Sequence, residues 1–402
     1  MNNGGMRIAM NLTDLRPGRM GGVETYVRNL IEGLVRLPDR HDYHFLTASD
    51  SRDLVPAADQ RFSQCLAESW LPRLLEKSKY IRFPWQWVAM ARELRRYQPD
   101  AYLCPLCTPL PPWQATENTV ITLHDVKFMT NPETLNNPEV RIWRWLLLRG
   151  VRFVRKYITA SEYAKGTIVD CLGVPSDMVR VIYHGIDTRL YNDRPRACPG
   201  EKFANLPERY VILPAATWPY KNHVRLLQAL ALLRDRKQLK IHMVLTGFST
   251  TAHHDVLECI EKHRLEEQVS WLGWVSAEEL VYAYQHAQAL VFPSLYEGFG
   301  LPIIEAMACG CPALCSKTTA CGETAGGAAL LFDPLQIEDM AQQIEIIWTD
   351  ADSRRDLKQK GLAHAQEFAC ERMAQETLNV FTSLAGRFSE QDGAAKQDRR
   401  RR

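Results

Sequence analysis

Two carboxylates flank a glycine-rich loop in the C-terminal half of the chain. Glu297 and Glu305 are separated by seven residues in the segment FPSLYEGFGLPIIEAMACGCP, and Gly298 and Gly300 lie between them. The loop follows an apolar strand-like run and precedes a helix that Pro302 can begin, because its missing N–H costs nothing in a first turn. Loop and helix N–H groups suit an anion, whereas carboxylates suit the hydroxyls of a sugar or ribose. The segment therefore predicts a site for a ligand that carries both groups.

Two more side chains stand at the carboxyl ends of predicted strands. Lys221 follows the strand Tyr210–Ala216 and precedes a helix that Asn222 is predicted to cap. An ammonium at this junction can balance a diphosphate; a solvated lysine is the alternative. His124 follows the strand Val120–Leu123, and a purely structural histidine is the alternative there. Asp125 is placed either to orient the imidazole or to cap the next turn.

Other candidate motifs are weaker. Gly21 and Gly22 precede the first helix without the spacing of a dinucleotide-binding loop, and simple turn chemistry is one explanation for them. Cys104 and Cys107 form a C-x-x-C pair with no second pair at zinc-site spacing. We therefore predict no metal site and no redox cofactor.

These residues sit in a chain whose strand-like and helix-like patterns alternate from end to end. In the first helix the apolar residues recur with helical periodicity: Val23, Tyr26, Val27, Leu30, Ile31 and Leu34. Such alternation predicts parallel sheets covered by helices. The predicted strands are Arg7–Leu12, Tyr43–Ala48, Ala101–Cys104, Val120–Leu123, Lys156–Ala160, Val179–Tyr183, Tyr210–Ala216, Ile241–Thr246, Val269–Leu272, Ala289–Phe292, Ala313–Cys315 and Ala329–Phe332.

The pattern loosens at mid-chain, where prolines accumulate, and then restarts. We therefore expect two Rossmann-like parallel-sheet domains facing across a cleft. The predicted boundaries are an N-terminal domain (1–190), a linker (191–208), a C-terminal domain (209–370), a helix packing back on the N-terminal domain (371–388) and a disordered basic tail (389–402).

Composition excludes several classes of protein. The chain has 402 residues, of which 46% are hydrophobic and 24% charged, so it is neither a disordered chain nor a rod. A net charge of +2 gives no bulk signal for nucleic-acid binding. The eleven cysteines are scattered, and the sequence shows neither a signal-like leader nor a membrane-length apolar run. These features favour a reduced, cytoplasmic setting.

The spacing of Glu297 and Glu305 within this loop resembles the E-x7-E motif of the family-4 glycosyltransferases, which have the GT-B fold, and the likeness extends over essentially the whole chain. It implies that Glu297 meets the donor sugar, Glu305 the ribose and Lys221 the diphosphate, while His124 reaches the sugar. The backbone at Phe299, Gly300 and Leu301 would line sugar and diphosphate, and the Gly21–Gly22 loop would face the cleft. The N-terminal domain would bind the acceptor and the C-terminal domain the nucleotide sugar. An arginine that many members carry before the lysine is replaced here by Ala215, Ala216 and Thr217.

The resemblance implies a retaining glycosyltransferase that moves a hexose from a nucleoside-diphosphate sugar to a glycan or lipid-linked acceptor in polysaccharide synthesis, without a metal. Trp218-Pro219 resembles a mannosyltransferase-like subgroup. The alternatives are a nucleotide-sugar epimerase, a phosphorylase, which would need pyridoxal phosphate, and an inactive glycan-binding scaffold.

The N-terminal half carries an excess of positive charge. Residues 1–190 hold 25 basic and 20 acidic residues, and the remainder holds 24 and 27. Basic and aromatic residues mix over residues 77–96 and 141–156, which predicts peripheral contact with an anionic membrane at its cytoplasmic face. A solvated basic helix with core tryptophans is the equal alternative, and single-stranded nucleic-acid binding is the weaker one.

Overall fold

The computed structural model describes residues 5–18, 20–66, 79–106, 118–126, 141, 145, 148–150 and 154–384, with the backbone alone for residues 79–86. The chain forms two compact units. Unit 1 comprises the chain up to Gly185 together with everything from Cys370 onward, and unit 2 runs from Ile186 to Ala369. The predicted linker, residues 191–208, lies inside unit 2 and includes the short helix Glu201–Ala204.

Among the described residues, unit 1 holds one seven-stranded parallel sheet in the order β3-β2-β1-β4-β5-β6-β7. Its central strands are buried along nearly their whole length, which is why they read as continuous apolar runs. The strands are β1 Arg7–Leu12, β2 Asp42–Thr47, β3 Phe62–Leu66, β4 Ala101–Cys104, β5 Thr119–Thr122, β6 Lys156–Thr159 and β7 Val179–Val181.

The described residues of unit 1 include the helices α1 Gly22–Arg36, α2 Lys79–Tyr97 and α3 Glu162–Leu172. The apolar stripe of α1 packs into the core, as its periodicity predicts. Residues 370–384 form a further helix that contributes Met373, Leu378 and Phe381 to the same core. It approaches α1 closely at Gly33, where a Cβ would lie 2.2 Å from the carbonyl oxygen of Cys370.

Unit 2 holds a six-stranded parallel sheet in the order β10-β9-β8-β11-β12-β13. Relative to the chain this is the 3-2-1-4-5-6 order of dinucleotide-binding folds. The strands are β8 Val211–Pro214, β9 Met243–Thr246, β10 Val269–Trp271, β11 Ala289–Phe292, β12 Ala313–Ser316 and β13 Ala329–Phe332. The longer helices are α5 His223–Lys237, α6 His253–Lys262, α7 Ala277–His286, α8 Leu301–Ala308, α10 Ile337–Thr349 and α11 Ala351–Ala365; α4 is Glu201–Ala204 and α9 is Ala320–Ala325.

The predicted strands all appear, with ends shifted by three residues or fewer. The strand that periodicity missed is β3, whose middle residues are exposed. It lies at the edge of the sheet, where a strand needs no continuous apolar run. Ser276 and Glu279 form a capping box at the start of α7, as their spacing of three residues before an apolar stripe favours.

The helices of the described ranges are either too short or too polar to cross a membrane.

Candidate active site

Two oppositely charged side chains meet at the centre of the sheet in unit 2. Strands β8 and β11 are neighbours although they are not consecutive, so the crossovers leave them in opposite directions and open a crevice at their carboxyl ends. Lys221 follows β8 and Glu297 follows β11. Lys221 Nζ lies 2.5 Å from Glu297 Oε1, and the two side chains are only 15% and 14% exposed. The sequence placed each residue at a strand end, and the structure joins them.

The ion pair keeps Lys221 charged in a poorly solvated place. Burial by itself would lower the pKa of Lys221, but the Glu297 carboxylate outweighs it, and the pKa is raised above its ordinary value. The ammonium also lies 5.0 Å from the ring centre of Phe292 and 5.3 Å from that of Tyr220. Lys221 is therefore a permanent cation throughout the physiological pH range.

Asn222 fixes the loop that carries Lys221. We expected its side chain to cap α5, and this is wrong: it makes no capping hydrogen bond and has a left-handed backbone with φ of 62°. Its buried amide Nδ2 instead donates to the carbonyl oxygens of Pro293, at 3.1 Å, and Pro334, at 2.8 Å. The same side chain that favours caps can tolerate positive φ, and here it ties the ends of β8, β11 and β13 together.

Glu297 is held by the loop after β12. Its backbone N–H donates to Thr319 Oγ1 at 3.2 Å, and its carbonyl accepts from the Ala320 N–H at 3.4 Å. Thr319 has φ of 56°, a strained conformation for a β-branched residue. Thr319 has no signal in the sequence, since nothing in its local pattern indicates a contact with a residue 22 positions away.

The loop between the two glutamates has the predicted shape with one difference. Helix α8 begins at Leu301, one residue before Pro302, so the proline occupies the second helical position, where an N–H also lacks an intrahelical partner. Gly300 precedes the helix with φ of 105°, which only glycine adopts readily. The Phe299 carbonyl accepts from Thr324 Oγ1 at 2.7 Å, so α9 braces the loop. Gly298 lies between Glu297 and this braced segment.

Glu305 occupies a different environment from Glu297. It is 5% exposed, and its Oε2 lies 3.3 Å from the hydroxyl of Tyr284, with the Tyr191 hydroxyl as a second partner. Burial raises the pKa of Glu305 to about 7, and the hydrogen bonds from Tyr284 and Tyr191 offset only part of that rise. The two tyrosines had no sequence signal, because they come from α7 and from the predicted linker.

In unit 1 the predicted residues also follow strand ends. Gly21 caps α1 with φ of 54°, and Gly22 is the first residue of that helix. His124 follows β5, and both of its ring nitrogens have protein partners: Nε2 lies 2.8 Å from the Pro105 carbonyl oxygen, and Nδ1 lies 3.3 Å from Nε2 of His184. The imidazole is therefore oriented by His184 and Pro105.

Two neighbours of Lys221 differ in what they can contribute. Burial lowers the pKa of His223 to about 4, and its Nε2 lies 3.2 Å from the Ala215 carbonyl oxygen, so this ring is neutral at pH 7. Arg225 donates to Asn222 Oδ1 at 3.1 Å.

Within the described ranges no group of three or more His, Cys, Asp or Glu side chains is arranged to hold a metal ion. Cys104 is buried in β4, and Cys107 lies outside the described residues.

Two family models match the chain, one on each half. Residues 20–190 match the model "Glycosyltransferase Family 4" and residues 200–364 match "Glycosyl transferases group 1". The second match contains Lys221, Glu297 and Glu305.

Curated relatives align over most of the chain. The O-antigen chain mannosyltransferase B of Escherichia coli is 29% identical over 270 residues, covering 67% of this chain and 71% of the relative. The serotype-specific mannosyltransferase WbdA of Escherichia coli is 27% identical over 73% of this chain, but this covers only 36% of WbdA. The O-antigen chain mannosyltransferase RfbU of Salmonella typhimurium is 29% identical over 54% of this chain and 57% of its own length.

Solved structures match over nearly the full length. Sucrose-phosphate synthase from Thermosynechococcus elongatus superposes with a TM-score of 0.75 at 21% identity, covering 94% of this chain and 99% of that one. Anabaena HepE, solved with UDP and glucose, gives a TM-score of 0.68 at 20% identity, covering 94% and 100%.

Two parallel-sheet units with nucleotide-fold strand order, matched over nearly the full length by the solved structures, define a GT-B fold. The chain belongs to the family-4 glycosyltransferases. It is a glycosyltransferase enzyme, as the resemblance implied, and the epimerase, phosphorylase and scaffold alternatives are not favoured.

Proposed function

We propose that this enzyme transfers a hexose, mannose in the first instance, from a nucleoside-diphosphate sugar to a hydroxyl of a glycan or lipid-linked acceptor during cell-surface polysaccharide synthesis. The observation that carries the proposal is the contact between Lys221 and Glu297 at the carboxyl ends of β8 and β11. Mannose and polysaccharide synthesis are supported by the names of the relatives, two of which act in O-antigen chains. A nucleotide-sugar donor is supported by HepE, which binds UDP and glucose.

The ion pair matches the two parts of such a donor. An ammonium has three N–H donors, so Lys221 can hold Glu297 and a diphosphate oxygen at the same time. Glu297, held by Lys221, keeps acceptor capacity for sugar hydroxyls. At the start of α8, Pro302 has no N–H and the Ile303 N–H donates to the Gly300 carbonyl at 2.9 Å, so the contribution of this end to the diphosphate is the positive potential of the helix dipole.

Exposed aromatic side chains follow three adjacent strands of the same sheet and offer faces for the nucleobase. Trp218, Phe248 and Trp274 follow β8, β9 and β10 and are 42%, 45% and 58% exposed. The loops that carry them are joined by backbone hydrogen bonds, from Thr217 N–H to the Phe248 carbonyl at 3.1 Å and from Gly247 N–H to the Gly273 carbonyl at 2.7 Å. Base stacking on such rings contributes about 1–3 kcal/mol per base.

Glu305 would accept hydrogen bonds from the ribose hydroxyls in its ionised form. Since its pKa is about 7 in the free protein, a neutral carboxyl is present in part at physiological pH. Ribose hydroxyls that donate to the carboxylate would lower this pKa, so donor binding releases a proton.

The reaction proceeds with retention at the anomeric carbon. The acceptor oxygen bonds to the anomeric carbon on the face from which the diphosphate departs, the carbon–oxygen bond to the diphosphate breaks, and a leaving phosphate oxygen takes the acceptor proton. Glu297 stabilises the developing positive charge on the sugar, and Lys221 with the positive end of the α8 dipole stabilises the negative charge on the leaving diphosphate. Since these groups supply the charge that a divalent ion would otherwise supply, transfer should persist in EDTA.

For the location of the protein we propose peripheral contact with an anionic membrane through unit 1. The described part of the basic-aromatic stretch includes Trp145, which is 52% exposed, with the guanidinium of Arg149 4.4 Å above its ring. Val88 on α2 is 64% exposed, and the other basic and aromatic residues of 67–86 and 142–153 lie outside the residues whose side chains are described. An indole beside a guanidinium suits the boundary between lipid headgroups and acyl chains.

A donor screen tests the proposal. Thermal unfolding with GDP-mannose, GDP, UDP-glucose, UDP and ADP-glucose should show a selective rise in Tm, since a ligand at 100 times its Kd stabilises by about 2.7 kcal/mol. Transfer from the selected donor is then measured with lipid-linked glycan acceptors, with and without EDTA, and the anomeric configuration of product is read by NMR. Selection of a UDP-sugar would overturn the mannose assignment, and an inverted product would overturn the mechanism.

A further inference from the structure

Two histidines that are 60 residues apart in sequence form a pair in unit 1. His124 follows β5 and His184 follows β7, and His124 Nδ1 lies 3.3 Å from His184 Nε2. Each ring also packs against the ring of Tyr26, with centroids 4.7 Å apart in both cases. His124 is a candidate site residue from its place after a predicted strand, whereas the sequence pattern predicts no role for His184.

The hydrogen-bond partners determine where the protons are. Nε2 of His124 lies 2.8 Å from the carbonyl oxygen of Pro105, and a carbonyl oxygen can only accept, so Nε2 carries a proton. A neutral imidazole carries one proton, which leaves Nδ1 of His124 as an acceptor. The contact between the two rings therefore needs the proton to lie on Nε2 of His184, which donates it to His124.

Burial keeps both rings neutral. It lowers the pKa of His124 to about 4, although the Pro105 carbonyl raises it in part. Burial and the neighbouring His124 lower the pKa of His184 well below its ordinary value. At neutral pH both histidines are therefore protonated at Nε2 and not at Nδ1.

The protein holds His184 from its backbone. The carbonyl of the next residue, Gly185, accepts a hydrogen bond from the buried side chain of Asn29 at 2.7 Å. Asn29 and Tyr26 both belong to α1, and the Tyr26 hydroxyl lies 3.1 Å from Thr122 Oγ1, at the end of β5, where His124 follows. One helix therefore supports both members of the pair.

We propose that His184 is a positioning residue that keeps the proton of His124 on Nε2. In the free protein the Pro105 carbonyl also favours this tautomer. When a donor-sugar hydroxyl takes the place of the carbonyl at Nε2–H, only the hydrogen bond from His184 still distinguishes the two ring nitrogens. This inference rests on the proposed function, because it assigns His184 a role only through His124 at the sugar.

Two variants of similar side-chain length separate donation from packing. His184→Gln retains an N–H donor near the position of Nε2, whereas His184→Met removes it. We expect His184→Met to lower kcat about tenfold, the effect of one lost neutral hydrogen bond, and His184→Gln to stay within about threefold. Affinity for the free nucleoside diphosphate, which binds unit 2, should be unchanged in both.

A double-mutant cycle with His124→Ala tests whether the effect passes through His124. In the His124→Ala background, His184→Met should cause no further loss. An equal loss in both backgrounds overturns the inference, as does full activity of His184→Met beside an impaired His124→Ala. Full activity of His124→Ala would instead overturn the proposed role of His124 at the sugar, and with it the inference.

Nitrogen-15 NMR of histidine-labelled protein tests the hydrogen bond directly, without an activity assay. The wild-type spectrum is informative by itself, so the test does not depend on the folding of a variant. The expected spectrum shows His124 and His184 both protonated at Nε2, with the His124 Nδ1 resonance shifted by hydrogen bonding. That shift should be lost in His184→Met and largely kept in His184→Gln. A wild-type His124 protonated at Nδ1, or a Nδ1 resonance that is the same in His184→Met, overturns the proposal.

Discussion

The two units place different chemistry at the ends of similar sheets. In unit 2 the strand ends carry a fixed cation and two carboxylates, one paired with Lys221 and one buried against tyrosines. In unit 1 they carry a glycine loop and two neutral histidines, His124 and His184, locked by carbonyl and ring contacts. Both sheets are parallel, and both place their functional residues after strands, so the difference comes from the residues at the strand ends and not from the fold.

The difference indicates a division of labour between charge and shape. A diphosphate needs permanent positive charge, and Lys221 keeps it because Glu297 offsets the cost of burial. A sugar presents hydroxyls, and a neutral imidazole with a fixed N–H can meet a hydroxyl without a change in protonation. Substitutions at the candidate residues of each unit test this contrast, and the largest effect is expected at Lys221.

Loss of Lys221 should be the most damaging change. Lys221→Ala removes the cation that we propose for the diphosphate and takes from Glu297 its ion-pair partner. The ratio kcat/KM should therefore fall roughly a hundredfold or more, the scale of one lost electrostatic stabiliser. Steady-state kinetics with the donor measures this. Lys317→Ala is the matched control, since Lys317 is 54% exposed, pairs with Asp333 in the same unit and should matter little. A mild effect at Lys221 would point to Arg225 as the working cation.

The two glutamates should fail in different ways. Glu297→Gln should lower kcat while leaving nucleoside-diphosphate affinity nearly intact, because the sugar gains positive charge only as its bond breaks. Glu305→Gln should weaken the free nucleoside diphosphate and the intact donor alike, by about 1.5–3 kcal/mol. Calorimetry with the diphosphate and kinetics with the donor are compared for both variants. Equal loss of nucleotide affinity, or no loss in either variant, contradicts this assignment.

Glu305 should also make stability depend on pH. Its pKa rises from 4.5 unfolded to about 7 folded, so its contribution to stability is full below pH 4.5 and is lost as the pH rises through 7. At about 1.4 kcal/mol per pH unit, the loss is on the order of 3 kcal/mol. Glu305→Gln should therefore raise Tm at pH 8 relative to the wild type while weakening the nucleotide. A Tm difference that is the same at pH 5 and pH 8 would contradict the buried, shifted carboxyl.

His124→Ala should have a smaller effect, on turnover rather than on nucleotide binding. We expect about a tenfold loss in kcat with unchanged nucleoside-diphosphate affinity, as for one neutral hydrogen bond. Because the pKa of His124 is about 4, the wild-type rate should show no histidine limb between pH 6 and pH 9. Wild-type turnover in the variant would leave His124 a structural residue.

Membrane contact should be the weakest effect and should depend on salt. Trp145→Ala and Arg149→Ser should each reduce binding to anionic vesicles, and binding should fall at high ionic strength because exposed charges are screened. Trp274→Ala is the control, since Trp274 is 58% exposed but belongs to unit 2. Equal binding to neutral and anionic vesicles in sedimentation assays would remove the electrostatic part of the proposal.

The sequence by itself determined the βα alternation, the buried strands, the stripe of α1 and the position of each candidate residue after a strand, because these features are local patterns of one segment. It missed the edge strand β3, which has no apolar run, and it misassigned Asn222, whose type favours a cap but whose amide bridges three strand ends. It also gave no indication of Thr319, Tyr191, Tyr284 or His184.

Only the tertiary structure decided how these residues pair and what state they are in. Lys221 and Glu297 are 76 residues apart, and His124 and His184 are 60 apart, so their contacts follow from strand order and not from spacing. The two glutamates look alike in sequence, yet burial raises the pKa of Glu305 to about 7 while Glu297 lies against an ammonium. A side chain's type is written in the sequence, but its solvation and its partners exist only once distant segments have folded together.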